Sequence, residues 1–394
     1  MPVKIESVDF FYLSMPEVLD IGDGSQDALL VRVRAGGVTG WGECEAAPLV
    51  SIASLVCPMS HSACKPVMAS VLGQNLDDPT DIARIGRTVR DNSLDLLQAD
   101  HTLAGIDIAL WDLMGKKLGE PAWRLVGYEN SYRKRPYASV LFGDTPEETH
   151  AKVSRIRQAG FSAVKLGWGP FGRGTAKDDA AQVHAAREAL GADGTLLVDA
   201  GTIFAEDVAS AAERLQALSD ARVHWFEEPF HNYALEEYGQ LANTSPRVAL
   251  AGGEGSHNAH QAVHMMRQGG VKFIQVDTGR IGGITAAKQV ADQAIALGVT
   301  YVNHTFTSGL GLAASVVPFA GIEDHVICEY PVESRSLAQE IAGNPFPLDA
   351  DGMIRLNDEP GLGVQVDVAA LQKYLVPLEI RVGGKLLYQT PILK

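Results

Sequence analysis

Five side chains able to hold a cation or move a proton recur at near-equal spacing in the second half of the chain. Each closes a short apolar run: Asp199 after LLV, Glu227 after HWF, Glu254 in VALAGGE, Asp277 after FIQV and His304 after VTYVN. The intervals of 28, 27, 23 and 27 residues each match one strand, one helix and two short loops. In a βα-barrel such a repeat sets each group at the carboxyl end of a successive parallel strand, so a linear series becomes a ring. Three anions sharing one space are tolerable only beside a cation; otherwise their pKa values rise and some protonate. Ligation by oxygen without Cys or His points to Mg2+ rather than Zn2+. Any one of Asp199, Glu227 and Glu254 alone could equally cap a helix or solvate a loop; three in phase favour a metal site. Successive side chains alternate across a strand, so Glu227 rather than Glu228 is expected to face the ion.

Asp277 and His304 fall on neighbouring strands. An Asp hydrogen-bonded to one ring nitrogen fixes the tautomer and raises the basicity of the other, which would make His304 a general base or acid near neutral pH. Lys165, in SAVKLG, could counter a substrate carboxylate, act as a second base or form a salt bridge at the barrel rim. Glu329, closing VICE, could donate a hydrogen bond to a substrate carboxylate if protonated. His257, His260 and His264 have a spacing that imitates a metal face, but on a polar helix they are expected to face solvent. DTGRIGG at 277–283 lacks a P-loop lysine and the GxGxxG spacing, so its glycines are expected to form a tight turn.

Eight strands are expected to carry these groups, near 136–141, 162–167, 195–199, 222–227, 247–252, 272–276, 299–303 and 324–329. Helix–Gly–strand joints recur at Ala159-Gly160, Gly269-Gly270 and Leu297-Gly298, the rhythm of a parallel sheet, and the carboxylate spacing favours a closed barrel. Thr145-Pro146-Glu147-Glu148 reads as a capping box with proline at the first helical position. Residues 1–130 read as a separate α+β unit with strands over Val3–Phe11 and Ala28–Val33, a turn at Gly36-Gly37 and a helix ending at Gly119. The stretches Pro16–Gln26 and Ala46–His61 are rich in small residues without a clean period and are expected to be mobile loops. The barrel is expected over 131–365. The segment 366–394, containing LQKYLVPLEIRVGGKLLYQT, is expected to form strands that return to the first domain.

At 394 residues and 46% apolar composition, the chain is long enough for a barrel of roughly 250 residues plus a smaller domain. Its formal charge of −15, with no basic cluster, argues against a nucleic-acid partner. The cysteines Cys44, Cys57, Cys64 and Cys328 form no CxxC pair, which suits reduced thiols. No stretch has the length and apolarity of a signal peptide or a membrane span, so a cytoplasmic protein without membrane contacts is expected.

The chain resembles the enolase superfamily, specifically its mandelate racemase subgroup, over nearly its whole length. The resemblance rests on GWGE at 40–43, AGIDIALWDLMGK at 104–116, AVK at 163–165, VDAG at 198–201 and WFEEP at 225–229. It continues through GGE at 252–254, VDTGRIGG at 276–283, NHTF at 303–306 and PGLG at 360–363. It implies an α/β fold: a modified (β/α) barrel with an N-terminal α+β capping domain completed by the C-terminal segment. It further implies Asp199, Glu227 and Glu254 as Mg2+ ligands, the Asp277–His304 dyad as base and Glu329 as an electrophile. In such sites a His or Lys base works beside Mg2+ that stabilises an enediolate.

Members of the subgroup often carry Lys-x-Lys where this chain has Lys165-Leu166-Gly167, and often Asn where it has Gly201. The third strand also lacks a histidine that some dehydratases use. Racemisation is most simply done with two opposed bases, so a one-base reaction is favoured: dehydration of an acid sugar to a 2-keto-3-deoxy acid. A racemase, epimerase or cycloisomerase with Lys165 as second base, or a non-catalytic metal-binding relative, remain the alternatives. The partner expected is a small-molecule carboxylate, and the assembly expected is a homo-oligomer.

Overall fold

A computed structural model describes residues 2–45, 47–244 and 247–393. Three antiparallel strands open the chain, β1 (Ile5–Ser14), β2 (Asp27–Ala35) and β3 (Val38–Cys44), with the β2–β3 turn at Gly36-Gly37. Their inner face lies on the helix Ala99–Leu118, which is buried almost all round because the barrel covers its other side. A Cβ on Gly40 or Gly42 would lie 2.0 or 2.1 Å from the carbonyl oxygens of Ala109 and Gly105, so only glycine allows this approach of strand to helix.

Asp112 ties that helix to two other segments. It accepts from the backbone N–H of Trp41 at 2.8 Å, from that of Leu362 at 3.0 Å and from Lys116 Nζ at 2.5 Å. The GWGE, AGIDIALWDLMGK and PGLG motifs are thus parts of one buried joint. Because two buried N–H donors would be orphaned, Asp112→Ala is expected to destabilise the fold by about 3 kcal/mol. Chemical denaturation checks this, and a loss below about 1 kcal/mol would mean that water replaces the carboxylate.

Eight parallel strands follow: β4 (Arg135–Leu141), β5 (Ala163–Gly167), β6 (Thr195–Asp199), β7 (Val223–Glu227), β8 (Ala249–Gly252), β9 (Phe273–Asp277), β10 (Thr300–His304) and β11 (Ile327–Pro331). They pair in sequence order from β4 to β10, and β11 pairs with β4. The seam between β10 and β11 is closed by a side chain: Asn303 accepts from the Glu329 N–H at 2.9 Å and donates to its carbonyl at 3.3 Å. The result is a nearly closed barrel capped by the N-terminal strands and helices. Its strands agree with the expected positions to within three residues at every end.

One residue from each strand fills the barrel's interior: Tyr137, Ala163, Leu197, Trp225, Ala251, Phe273, Val302 and Ile327. Side chains two positions further along a strand return to the same face. Above this apolar layer the period of two therefore sets Ser139, Lys165, Asp199, Glu227, Gln275, His304 and Glu329.

Several expectations are corrected. Ala46 lies outside the described residues, but the stretch after it is largely helical (Pro48–Val56), with Ser51, Ile52, Ser54 and Leu55 buried; its small residues hid the period. The Thr145 side chain caps the Glu148 N–H, but Glu148 reaches back to the Asp144 N–H instead of that of Thr145, so the box is open. A full box stands at Thr175 and Asp178, where none was anticipated. Toward the C-terminus, Val368–Tyr374 is helical. The strands β12 (Glu379–Val382) and β13 (Lys385–Gln389) pair only with each other, so they do not extend the first sheet. This end still contacts that sheet through Val376 N–H to Tyr12 O at 2.8 Å and Tyr388 Oη to Phe10 O at 2.6 Å. Among the described residues no helix is long and apolar enough to cross a membrane.

Candidate active site

The carboxyl ends of the barrel strands and the segment Ile21–Gly24 enclose a cavity of about 260 Å3. Lys165, Asp199, Glu254 and His304 line it, and Glu227, Asp277 and Glu329 stand directly behind them. All seven anticipated residues therefore meet in one place.

Lys165 is the hub of one half. Its Nζ lies 2.6 Å from Glu227 Oε1, 2.8 Å from Glu329 Oε1 and 3.7 Å from Asp199 Oδ2. Burial opposes its charge, but Glu227 and Glu329 outweigh burial and hold the ammonium well above the ordinary lysine range. Glu227 also accepts from Trp225 Nε1 at 2.8 Å. Burial pushes the Glu227 carboxyl up to about 8 and that of Asp199 up to about 6, with Lys165 opposing both shifts.

His304 anchors the other half. Its Nδ1 lies 2.6 Å from Asp277 Oδ2, a pair set by the register in which these two residues stand opposite each other on β10 and β9. Its Nε2 faces the cavity, 3.2 Å from Glu254 Oε2. Burial disfavours the imidazolium, yet Glu254, Glu329 and the bonded Asp277 push its pKa well above the ordinary histidine value. Glu329 had been expected to donate a hydrogen bond as a protonated acid. Here it accepts one from the Thr305 N–H at 2.7 Å, and Lys165 and His304 overcome burial to hold it below the usual glutamate range.

Among the described residues no three Asp, Glu, His or Cys side chains close around a single centre in this arrangement. The carboxylates lean instead on Lys165 and His304. The donor set nevertheless suits a hard divalent cation. Carboxylates outnumber the nearby positive groups, and Oε1 of buried Glu228 has no hydrogen-bond partner. Burial, then Glu254, Asp199 and Glu227, hold the Glu228 carboxyl well above its ordinary pKa. Strand alternation stops applying where β7 ends: Glu228 has φ 37, a left-handed turn, and its side chain is buried.

The two glycine departures have a common physical account. A Cβ at Gly167 would lie 3.0 Å from Asp199 Cβ and Oδ2, so a side chain there would press on that carboxylate. A Cβ at Gly201 would meet the Trp168 indole at 2.8 Å, and one at Gly22 would meet it at 2.7 Å. Trp168, left-handed at φ 56, is therefore sandwiched between the barrel rim and the capping segment. The same segment is fastened on its other side, where Arg335 Nε meets Asp23 Oδ2 at 2.9 Å and the Arg335 N–H meets Ser25 Oγ at 2.8 Å.

Sequence reasoning passed over Glu45 and Arg280. The Glu45 N–H donates to Gly279 O at 3.0 Å, which brings the end of the capping sheet onto the turn after β9. Arg280 then grips Glu45 Oε2 through Nε at 3.0 Å and Nη2 at 2.8 Å. The signal available for Arg280 was its place three residues after Asp277; Glu45, far away in sequence, offered none. The glycines of DTGRIGG do turn tightly, with Gly282 and Gly283 at φ 106 and 90. His257, His260 and His264 are exposed.

With the barrel, its cap and this cluster in view, the comparisons with known proteins agree. Residues 14–127 match the mandelate racemase/muconate lactonizing enzyme N-terminal domain, and residues 148–370 match the enolase C-terminal domain-like family. The chain belongs to the mandelate racemase and muconate lactonizing enzyme family of the enolase superfamily. A crystal structure of a predicted mandelate racemase from Rhodobacter sphaeroides is 60% identical, with a TM-score of 0.95 over 99% of this chain and 100% of that one. A D-galactonate dehydratase from Variovorax paradoxus is 31% identical over 84% of this chain and 86% of its own length. A D-galactarolactone cycloisomerase from Agrobacterium fabrum is 29% identical over 86% and 89%.

Proposed function

We propose that the protein is a Mg2+-dependent dehydratase of an acid sugar. The observation that carries this reading is that His304 Nε2, beside Glu254 Oε2 at 3.2 Å, is the ring nitrogen on the cavity, while another residue of the lining, position 167, is glycine. Lys165, the alternative second base, has its ammonium committed to Glu227 and Glu329. Asp199, Glu227 and Glu254 would hold the ion, with Glu228 beside them. Bound there, magnesium supplies positive charge for the enediolate that forms when a carbon next to a carboxylate loses its proton.

The chain's own groups do the rest. His304 Nε2 takes the α-proton, and Asp277 on Nδ1 stabilises the imidazolium that results. The electron pair moves into the carboxylate, and Lys165 neutralises part of the charge that develops there. The β-carbon–oxygen bond then breaks, and the same imidazolium returns its proton to the departing hydroxide, giving water and an enol. That enol tautomerises to a 2-keto-3-deoxy acid. One histidine serves both transfers when proton and hydroxyl leave from one face.

A panel of aldonic and aldaric acids incubated with Mg2+ and scored for 2-keto acid tests the proposal. At least one member should react, and silence across the panel would end the dehydratase reading. The named cycloisomerase relative keeps a second outcome in view. In D2O, deuterium entering next to the carboxylate without loss of water would favour an isomerase on the same site.

Trp168 and Asp23 fasten the capping segment over the cavity, and closure of such segments excludes water and commits the substrate. Trp168→Ala is expected to raise KM by about tenfold while changing kcat far less, because binding energy spent on closure is lost. A steady-state comparison reads this directly. An unchanged KM would show that the indole does not hold the segment.

A further inference from the structure

The part of the cavity wall built by the capping segment and the turn after β9 bears on what the rest of the substrate must be. It is lined by Ile21, Asp23, Glu45, Arg280 and Phe306, with Trp168 at the side. Among the described residues lining the cavity, every cation already has a carboxylate. Lys165 is held by Glu227 and Glu329, His304 by Asp277, and Arg280 by two bonds to Glu45 Oε2. The third Arg280 contact, from Nη1, goes to the Glu254 carbonyl at 3.0 Å. Arg335 stands outside in the adjoining mouth, where it is paired with Asp23 and has Glu333 beside it.

A second substrate carboxylate against this wall would be stripped of water beside Asp23 and Glu45, with no uncommitted positive charge to receive it. A hydroxyl faces no such cost. It can donate to a carboxylate in a charge-assisted bond. Arg280 occupies Oε2 of Glu45 and leaves Oε1, which lies 3.7 Å from the Cβ position of Gly24, on the cavity side.

We infer that the substrate is a monocarboxylate with a neutral, hydroxylated tail, an aldonic rather than an aldaric acid. Glu45 is the acceptor that reads a tail hydroxyl, and the Glu45–Arg280 and Asp23–Arg335 pairs exclude a second carboxylate. The inference rests on the proposed function only in taking Lys165 and His304 as the end where the reacting carboxylate sits.

The test is direct binding to the Mg2+-loaded protein by calorimetry, using aldonic acids and the aldaric acids of the same length and configuration, alongside turnover where it occurs. The aldonic member of the best-bound pair should bind at least about tenfold more tightly, the scale expected when a desolvated charge lacks a partner. Glu45→Gln and Asp23→Asn should each narrow that ratio, because each releases an arginine to meet a second carboxylate. Equal or tighter binding of the diacids by the wild-type protein overturns the inference, as does a ratio unmoved in both variants once melting curves show that they fold. Should no acid be dehydrated, the proposed reaction fails by itself, while the binding ratio still decides between monoacid and diacid.

Discussion

His304→Asn is expected to lower kcat on an acid sugar by about 10^2- to 10^4-fold, the usual contribution of a positioned general base. Asparagine can keep a hydrogen bond toward Asp277 but cannot accept the α-proton. Because Nδ1 is committed to Asp277 at 2.6 Å, only Nε2 faces the cavity, and no second nitrogen can substitute for it. Exchange of the α-proton in D2O should vanish together with turnover, since both need the same transfer. The variant must be assayed with Mg2+ present: in the metal-free protein the imidazolium also offsets Glu254 and Glu329, and its loss alone would add repulsion. Retention of more than about a tenth of wild-type kcat would remove His304 from the base position and with it the one-base mechanism.

Removing the metal is expected to abolish turnover and to reverse the effect of pH on stability. In the metal-free chain the folded-state pKa of Asp199 is raised to about 6 and that of Glu227 to about 8, above the ordinary values of 3.8 and 4.5. Raised carboxyl groups favour the fold while protonated. Their contribution is complete below about pH 4 and is lost as pH climbs through about 6 and then about 8. Mg2+ needs the ionised carboxylates, so its affinity grows over the same interval. At 100-fold excess over Kd the ion adds roughly 2.7 kcal/mol of stability. Melting curves with and without Mg2+ should therefore lie close together at pH 5 and separate clearly at pH 8. Curves that coincide at both pH values would show that Asp199, Glu227 and Glu254 do not bind the ion.

The barrel and its chemistry-bearing layer were legible in the sequence because both follow from local periodicities. The β–loop–α–loop repeat fixes the strands, and a side-chain period of two carries Leu197 to Asp199, Trp225 to Glu227 and Val302 to His304 on the inner face. The same rule does not reach Glu228, since it assumes an extended backbone and that residue turns left-handed at the end of β7. The period also carries Ile327 to Glu329 on the inner face, but the Lys165 ammonium 2.8 Å from Glu329 was not legible, because nothing between positions 165 and 329 in the sequence announces that contact.

The sequence by itself determined the family, the ring of candidate residues and the absence of a second base at position 167, all written in short runs whose spacing survives folding. Only the tertiary structure decided what else reaches the cavity: Gly22 and Asp23 of the capping segment, Glu45 at the end of the third strand, Trp168 and Arg280. These come from segments far apart in the chain. They meet because the helix Ala99–Leu118 packs between sheet and barrel and glycines let the backbones touch, and no local period encodes the resulting distances.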